Sequence, residues 1–372
     1  MMRPAFSSTR AAAAFALLLL LLLLSPSLAC KWFLPPREQA YASLSWGSGP
    51  YPYLQQQIFE EKGDIDIAFI GSSHILHCLD ARRLQTELSR KLGRPATVRV
   101  LGWGGAGYDA LYFIAKDFLA HRRVRMLVFY DDHNGSYRNN KSPVWFRFRE
   151  DAEVLVGLPI CEQAYFYFAS LVGMPRNLLS LLRSNRSADM QVRNYWEEHY
   201  RSLSPVDNLG STTSELGYDS RPNGDVDATA PFAPFSPTNG IGAADTCLYA
   251  PGSAPGFKFS NNILPAWEVH FMHLLAALAV QHNCRLVMMN IPDLLGNFRA
   301  EQIEERAYWP AIFGPNLVML GVPPAKFFKG LPDDEVRKLF NNPGHLNKNG
   351  QAYFTSLILP SLLEIYESSP RY

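Results

Sequence analysis

Residues 66–80 read DIAFIGSSHILHCLD, an apolar run that turns polar within one residue. The apolar part, 67–70, has the length and composition of a short buried strand. The tetrapeptide Gly-Ser-Ser-His, 71–74, follows it without a spacer. A strand that ends in this way leads either into an ordinary helix capped by a serine or into a site where a serine hydroxyl is used chemically.

Strands and helices alternate on the carboxyl side of this stretch. The pattern predicts strands at 66–70, 96–103, 124–130, 285–292 and 316–320 and helices at 79–92, 108–123, from 265 onward and 346–359. Asn347 is predicted to cap the last helix, and Pro360 to kink or stop it. This alternation is typical of a parallel sheet covered on both faces, so we expect an α/β fold of three layers, α/β/α, with a flavodoxin-like sheet.

The alternation is interrupted between the third and fourth predicted strands. The interruption, about 135–262, is predicted to be a large insertion in the α/β domain. Its first part, 135–201, is aromatic-rich and cap-like, whereas 202–262 is polar and loop-rich, too polar to bury much surface.

The N-terminus has the features of an export signal. Two arginines precede a short apolar run, and small residues follow before Cys30, which predicts that 1–30 is a signal peptide or a membrane anchor. The end of this segment also resembles a lipobox, after which Cys30 carries lipid. Lipoprotein, plain secretion and an uncleaved anchor all remain open. Residues 31–63 are predicted to be a tether and 64–372 the α/β domain, in the periplasm or cell envelope.

Composition narrows the classes of partner and cofactor. The chain of 372 residues is 47% hydrophobic with a formal net charge of +1, which is globular and gives no reason to expect nucleic-acid binding. Three adjacent side chains, Asp131 to His133, cannot all face one metal ion, so we expect no metal and no cofactor. In an exported protein the cysteines 78, 161, 247 and 284 either form two disulfides or remain buried thiols.

Four short blocks, in order, resemble those of the SGNH (GDSL-type) hydrolase superfamily. They are IAFIGSSH at 67–74, LGWGGAG at 101–107, LVFYDDHNG at 127–135 and NNPGHLNKNG at 341–350. The resemblance implies Ser73 as nucleophile and His345 as general base. It implies an oxyanion hole formed by the Ser73 and Gly105 N–H groups and the Asn134 amide. Ser72 and His74 are possible pocket residues, whereas His77 is expected to be structural or exposed.

The sequence departs from the family pattern at several positions. Ser72 replaces the Asp of the first block, Asp132 and Gly135 replace residues of the third, and Asn342 stands where the last block has the Asp that orients the histidine. Three outcomes are open. The Asn342 oxygen or a backbone carbonyl can orient the ring, an acid in the segment 333–335 can substitute, or the site is no longer catalytic.

The resemblance and the export signal together imply a function. We expect an exported serine esterase or O-acyltransferase that acts on acyl esters, acetyl above all, of envelope or extracellular polysaccharide. Its partners would be that acylated carbohydrate or another ester, and the membrane through the N-terminal segment or lipid on Cys30. The alternative is a catalytically inactive SGNH-like protein that binds glycan or scaffolds the cell envelope.

Overall fold

The computed structural model describes residues 6–33, 37–38, 41, 51–102, 107–130, 151, 153–168, 247–249, 257–260, 264–294, 298–306, 312 and 317–370. The chain divides into two compact units. One comprises Met1–Pro52 with Asn140–Asn185, and the other Tyr53–Asn139 with Arg186–Tyr372.

The first unit contains a long N-terminal helix. Helix α1 (Thr9–Phe33) covers most of the predicted signal or anchor segment and includes Cys30. In this unit the Tyr167 hydroxyl donates to the carbonyl of Leu23, and Arg37 forms an ion pair of 2.5 Å with the fully buried Asp151. Within the described residues, no helix has both the length and the apolar content needed to cross a membrane.

The second unit is built on a sheet of six strands. They are β1 (Ile65–Gly71), β2 (Val98–Gly102), β3 (Val124–Tyr130), β4 (Cys247–Tyr249), β6 (Arg285–Met289) and β8 (Leu317–Gly321). Their spatial order is β2-β1-β3-β6-β8-β4. Five of them pair in parallel, and the edge strand β4 pairs antiparallel to β8. Counted along the chain, the five parallel strands have the order 2-1-3-4-5 of flavodoxin-like folds, so the predicted α/β class and parallel sheet are confirmed.

The helices are α2 (Tyr51–Gln55), α3 (Ser73–Leu76), α4 (Ala81–Leu92), α5 (Tyr108–His121), α6 (Ala266–Gln281), α7 (Pro324–Phe327), α8 (Asp333–Arg337) and α9 (Lys348–Ser368). Every residue of β1 is buried, as expected for a strand covered on both faces. Helices α5 and α6 pack together, and α9 contacts α4. Right-handed crossovers put helices on opposite faces when the chain reverses direction along the sheet, which agrees with this pairing.

The core between α5 and α6 is aromatic. Phe271 of α6 contacts the rings of Tyr112 and Phe113 of α5, and Trp267 is 1% exposed. On the side of β2, the buried Arg122 donates to the carbonyls of Gln57, Lys62 and Gly63. This contact, with the buried Leu54 and Ile58, attaches the last residues of the predicted tether to the second unit.

Local signals placed most elements correctly and missed several short ones. Asn347 caps α9 as predicted, but α9 continues through Pro360 to Ser368, so the predicted stop at this proline is wrong. The stretch 202–262 contains β4 and β5 (Phe257–Ser260), and β5 pairs with β7 (Ile303–Arg306). A hairpin of β9 (Phe340–Asn342) and β10 (His345–Leu346) precedes α9. Most of the predicted insertion, including 131–150 and 169–246, lies outside the described residues.

Candidate active site

Ser73 lies where β1 meets α3. Ser72 is the N-cap of α3, and its side chain accepts from the backbone N–H of His74. Ser73 is therefore the first helical residue, where backbone N–H groups have no acceptor within the helix. Gly71 permits the sharp turn, because a Cβ on it would lie 2.3 Å from Cγ1 of Ile75. The turn leaves Ser73 partly exposed at the carboxyl end of a central strand, beside the point where the strand order reverses.

His345 is carried by the hairpin of β9 and β10, which is fastened to the start of α9. The Asn347 side chain caps α9 by accepting from the N–H groups of Asn349 and Gly350. Its amide also donates to the carbonyl of Lys338 at 2.6 Å, and its backbone N–H donates to the carbonyl of Leu339. Asn347, two positions after His345, thus connects the start of α9 to the segment that leads into β9.

The hairpin brings His345 to Ser73 across 272 positions of sequence. His345 Nε2 lies 2.8 Å from Ser73 Oγ. On the other side of the ring, His345 Nδ1 lies 2.8 Å from Asn342 Oδ1. Serine, histidine and asparagine therefore form one continuous chain of hydrogen bonds. The prediction that Ser73 and His345 meet at the edge of the sheet is confirmed.

The backbone of Gly344 determines which way the Asn342 amide faces. Gly344 N–H lies 3.0 Å from Asn342 Oδ1 and can only donate, so the atom that faces it is the amide oxygen. The same oxygen faces His345 Nδ1, which must then carry the ring proton. Nε2 is left with its lone pair directed at the Ser73 hydroxyl. This is the tautomer that a general base requires, and it is obtained here without a carboxylate.

Burial determines the charge of the ring. Desolvation lowers the pKa of His345, because the charged imidazolium loses more hydration than the neutral ring. The neutral form therefore predominates at neutral pH and can accept the Ser73 proton. A negative charge beside Nδ1 would act in the opposite direction, but Asn342 supplies none.

Further rings pack against His345. His74 stacks on it with centroids 4.7 Å apart and planes at 19°, and the other face of His74 stacks on Tyr130, again at 4.7 Å. His77 meets His345 edge-on at 5.4 Å. The nitrogen lone pairs of stacked rings lie in parallel planes, so His74 and His345 do not direct them at a single metal ion. Among the described residues, no group of three or more His, Cys, Asp or Glu side chains is placed to hold a metal ion.

The structure brings most of the expected site residues together. Ser72, Ser73, His74, Asn342 and His345 form one cluster. Gly105 and Asn134 lie outside the described residues, as do Asp131, Asp132 and His133, so two of the three expected oxyanion donors have no described position.

Two of the three alternative acids in the segment 333–335 have other partners. Asp333 pairs with Arg299 at 2.5 Å, and Glu335 pairs with Lys338 at 2.6 Å. The position beside His345 Nδ1 is filled by Asn342 Oδ1. Of the ways considered for orienting the ring, the Asn342 oxygen is the one found.

Sequence reasoning missed two features of the site. His77 is 7% exposed and packs on His345, so the expectation of an exposed residue is wrong and that of a structural one fits. The sequence predicts Tyr130, the last residue of β3, only as part of a strand. Its position at the carboxyl end of the strand next to β1 was the available signal, because such ends share one edge of a parallel sheet.

The cysteines give a mixed outcome. Cys78, Cys161 and Cys284 are free, which rules out two disulfides among the four. Cys78 and Cys284 are buried thiols, whereas Cys161 is exposed.

Comparison of the chain with protein-family models and with curated proteins finds no match.

Proposed function

We propose that this chain is a serine esterase or O-acyltransferase of SGNH type. The observation that carries the proposal is the hydrogen-bonded chain from Ser73 through His345 to Asn342, with both distances at 2.8 Å. An isolated Ser–His contact is common in proteins. A partly exposed serine on a strand-to-helix turn, paired with a neutral histidine whose tautomer is determined by a third group, is the arrangement that activates a nucleophile.

Each residue has a defined step in this chemistry. Ser73 Oγ attacks the ester carbonyl carbon while His345 Nε2 takes the hydroxyl proton. The oxyanion that forms would be stabilised by the Ser73 N–H, with the Gly105 N–H and the Asn134 amide as further donors by family resemblance. The imidazolium then gives its Nε2 proton to the leaving alcohol oxygen, and the acyl group remains on Ser73. In the second half, His345 deprotonates water or an acceptor hydroxyl, which attacks the acyl-serine. The acyl group leaves on that oxygen, and His345 Nε2 returns the proton to Ser73 Oγ.

Asn342 makes this a weaker catalyst than one with an acid at the same position. The amide oxygen orients the ring and accepts from Nδ1, but it does not neutralise the imidazolium. In serine proteases, exchange of the triad Asp for Asn reduces turnover by roughly 10⁴, largely because the wrong tautomer forms. Here the Gly344 N–H favours the right tautomer, so we expect only the electrostatic part of that loss.

The substrate class and location follow from the N-terminal signal and the family resemblance. We propose an exported protein of the periplasm or cell envelope, attached to the membrane through its N-terminal segment or lipid on Cys30. Its substrates would be acyl esters, acetyl above all, of envelope or extracellular polysaccharide. Hydrolysis and transfer differ only in whether water or a sugar hydroxyl meets the acyl-enzyme.

The test is turnover of a small chromogenic acetyl ester by the full chain. Wild type should release up to one chromophore per chain in a burst, as the acetyl group is transferred to Ser73, and then turn over steadily, and Ser73→Ala should reduce the rate to that of the buffer. Ser368→Ala, at the opposite end of α9 from the site, is the matched control and should retain wild-type turnover. Mass spectrometry of the quenched wild-type reaction should place the acetyl group on Ser73.

The neutral Asn342 also motivates a second candidate, a catalytically inactive protein that binds glycan or scaffolds the envelope. It predicts wild-type turnover no faster than Ser73→Ala and no acetyl group on Ser73. If wild type and Ser73→Ala then both bind an acetylated oligosaccharide saturably, the protein is a glycan-binding protein and the esterase proposal is wrong.

A further inference from the structure

We propose that His74 is a positioning residue that holds the plane of the His345 ring by stacking on it. The proposal rests on the function proposed above and adds a residue to its site. His74 contacts the ring of the general base, with centroids 4.7 Å apart. It acts through that ring.

The stack has a defined order. Tyr130 lies at one end, His74 in the middle and His345 at the other end, with neighbouring centroids 4.7 Å apart and interplanar angles of 18° and 19°. Tyr130 is 2% exposed and belongs to a central strand, so its ring has little freedom to move. A rigid ring at one end limits the movement of the two rings above it, because stacked aromatic pairs lose contact when either ring rotates out of plane.

The middle ring is itself held by the turn that presents the nucleophile. Ser72 Oγ accepts from the His74 backbone N–H and lies 3.2 Å from His74 Nδ1. Because its oxygen serves as the N-cap acceptor, the Ser72 hydroxyl proton is available to the ring nitrogen. Ser72 thereby fixes the rotation of His74 while the adjacent residue, Ser73, meets His345.

The orientation of the His345 ring must be controlled for Nε2 to meet Ser73. The hydrogen bond to Asn342 fixes one atom of the ring, but rotation about an axis through that atom would still swing Nε2 away. Stacking on His74 opposes this rotation, and the ring of His77, at 83° to His345 with centroids 5.4 Å apart, limits it further. A misplacement of a catalytic group by about 1 Å can reduce the rate ~100-fold, so a ring that restrains the base has a measurable effect.

The stacked ring of His74 also shields one face of His345 from water. Titratable rings face His345 from α3 and its C-cap, through His74 and His77, and Tyr130 of β3 lies one ring further away. Burial is the cause of the lowered pKa of His345. Removal of the His74 ring should readmit water to one face and return the pKa toward its ordinary value.

The experiment compares His74→Ala with His74→Phe. The Ala variant removes the stack, and the Phe variant keeps a flat ring without the nitrogens. In ester turnover we expect His74→Ala to lose kcat by ~10-fold or more with KM little changed, and His74→Phe to recover most of that loss. The acid limb of the pH profile should move to higher pH in His74→Ala and stay near the wild-type position in His74→Phe.

A direct titration separates this inference from the function on which it rests. In protein labelled with ¹³C-histidine, the His345 signal is identified by its loss in His345→Gln. The His345 pKa should rise in His74→Ala and remain low in His74→Phe, with His273→Ala, an exposed histidine of α6, as the unchanged control. This measurement requires no turnover. If these pKa shifts are found but wild type has no esterase activity, the esterase proposal is wrong and the proposed stacking role of His74 stands.

Two results would overturn the inference. Equal His345 pKa values and equal kcat in wild type and His74→Ala would show that the ring restrains nothing. If His74→Phe instead behaves as His74→Ala does, with both variants unfolding at the wild-type temperature, a nitrogen of His74 is needed and stacking is not its role.

Discussion

At the residue scale, the site depends on which atom of Asn342 faces the histidine. An asparagine can present either its oxygen or its NH₂ group to a ring nitrogen, and only the oxygen selects the tautomer with a basic Nε2. The choice is made by the N–H of Gly344, at 3.0 Å from Oδ1. A backbone group thus does part of what a negative charge does in Ser-His-Asp triads, without adding that charge to a buried site.

Asn342→Asp tests whether the Gly344 N–H sets the tautomer of His345 while the missing negative charge limits the rate. The new carboxylate would accept the same two hydrogen bonds and stabilise the imidazolium, so the pKa of His345 should rise and the acid limb of the pH–rate profile should move to higher pH. Above that limb, kcat should increase, by roughly 10- to 1,000-fold, which is less than the full triad effect because the tautomer is already correct.

The control for that substitution is Asn342→Leu, which removes the acceptor altogether. It should reduce kcat below wild type while the protein remains folded by circular dichroism. If Asn342→Asp is no faster than wild type at any pH, the carboxylate position is not limiting and the proposed role of Asn342 is wrong.

At the scale of elements, the candidate site depends on how closely α9 approaches the hairpin of β9 and β10. Gly350, in the first turn of α9, has no room for a side chain, because a Cβ would lie 2.2 Å from the carbonyl oxygen of Leu339. Gly350→Ala should therefore push the hairpin away. We expect a loss of about 1–3 kcal/mol in the free energy of unfolding, typical of overpacking, and a fall in kcat from displacement of His345.

Urea unfolding and ester turnover measure the two effects of Gly350→Ala. Asn349→Ala, at the adjacent, partly exposed position of the same turn, is the control and should change each much less. Unchanged turnover in Gly350→Ala would mean that the hairpin does not depend on this contact for its position.

A second contact between elements, a buried hydrogen-bond network around Asp66, lies at the opposite end of β1. Asp66 is 4% exposed, and it accepts from Arg94, from the backbone N–H of Thr97 and from the Tyr366 hydroxyl near the end of α9. Burial alone would raise the pKa of Asp66, but these hydrogen bonds outweigh it and the pKa is lowered. The network connects β1, the segment before β2 and α9.

Asp66→Asn should lower the free energy of unfolding at pH 6 by about 2 kcal/mol, the range for hydrogen bonds to a charged group. A carboxylate with a lowered folded-state pKa contributes stability above its unfolded pKa of about 3.9, and that stability is lost as the pH falls through the folded-state value. The gap between wild type and Asp66→Asn should therefore narrow between pH 6 and pH 3.

The control for Asp66 is Asp64→Asn, which removes an exposed ion pair with Arg123 at 3.0 Å. An exposed pair contributes at most about 1 kcal/mol, so this variant should resemble wild type in urea unfolding at both pH values. A pH-independent gap for Asp66→Asn would contradict the assigned role of its charge.

At the scale of the whole molecule, the free cysteines report global unfolding of the second unit. Cys78 and Cys284 are buried, and burial raises the pKa of both thiols well above the ordinary value. A thiol that is neither ionised nor accessible does not react with alkylating reagents, so each should react only when the unit unfolds.

The measurement is iodoacetamide labelling followed by peptide mass spectrometry along a urea series. Cys161, which is exposed, should react in native protein and serves as the internal control. Cys78 and Cys284 should become labelled together at the urea midpoint found by circular dichroism. Rapid labelling of either in native protein would contradict its burial.

The sequence by itself determined the α/β class, the parallel strands and their helices, and the positions of Ser73 and His345 at element boundaries. These features follow from local chemistry: apolar runs of strand length, leucines at helical spacing, and Asn347 as a helix cap. Short elements such as β4, β9 and β10 were missed, because two to three residues are too few for a periodic signal.

Only the tertiary structure decided how the site is assembled. The orientation of the Asn342 amide depends on the Gly344 N–H. The separation of Ser73 and His345 depends on the fit of Gly350 against Leu339. The stacking of His74 depends on the position of Tyr130 at the end of β3. The last two are distances between groups from different elements, whereas the Gly344 contact lies within one hairpin turn, two residues from Asn342. Local propensity carries no information about such distances, because they are set by the packing of the whole sheet and its helices.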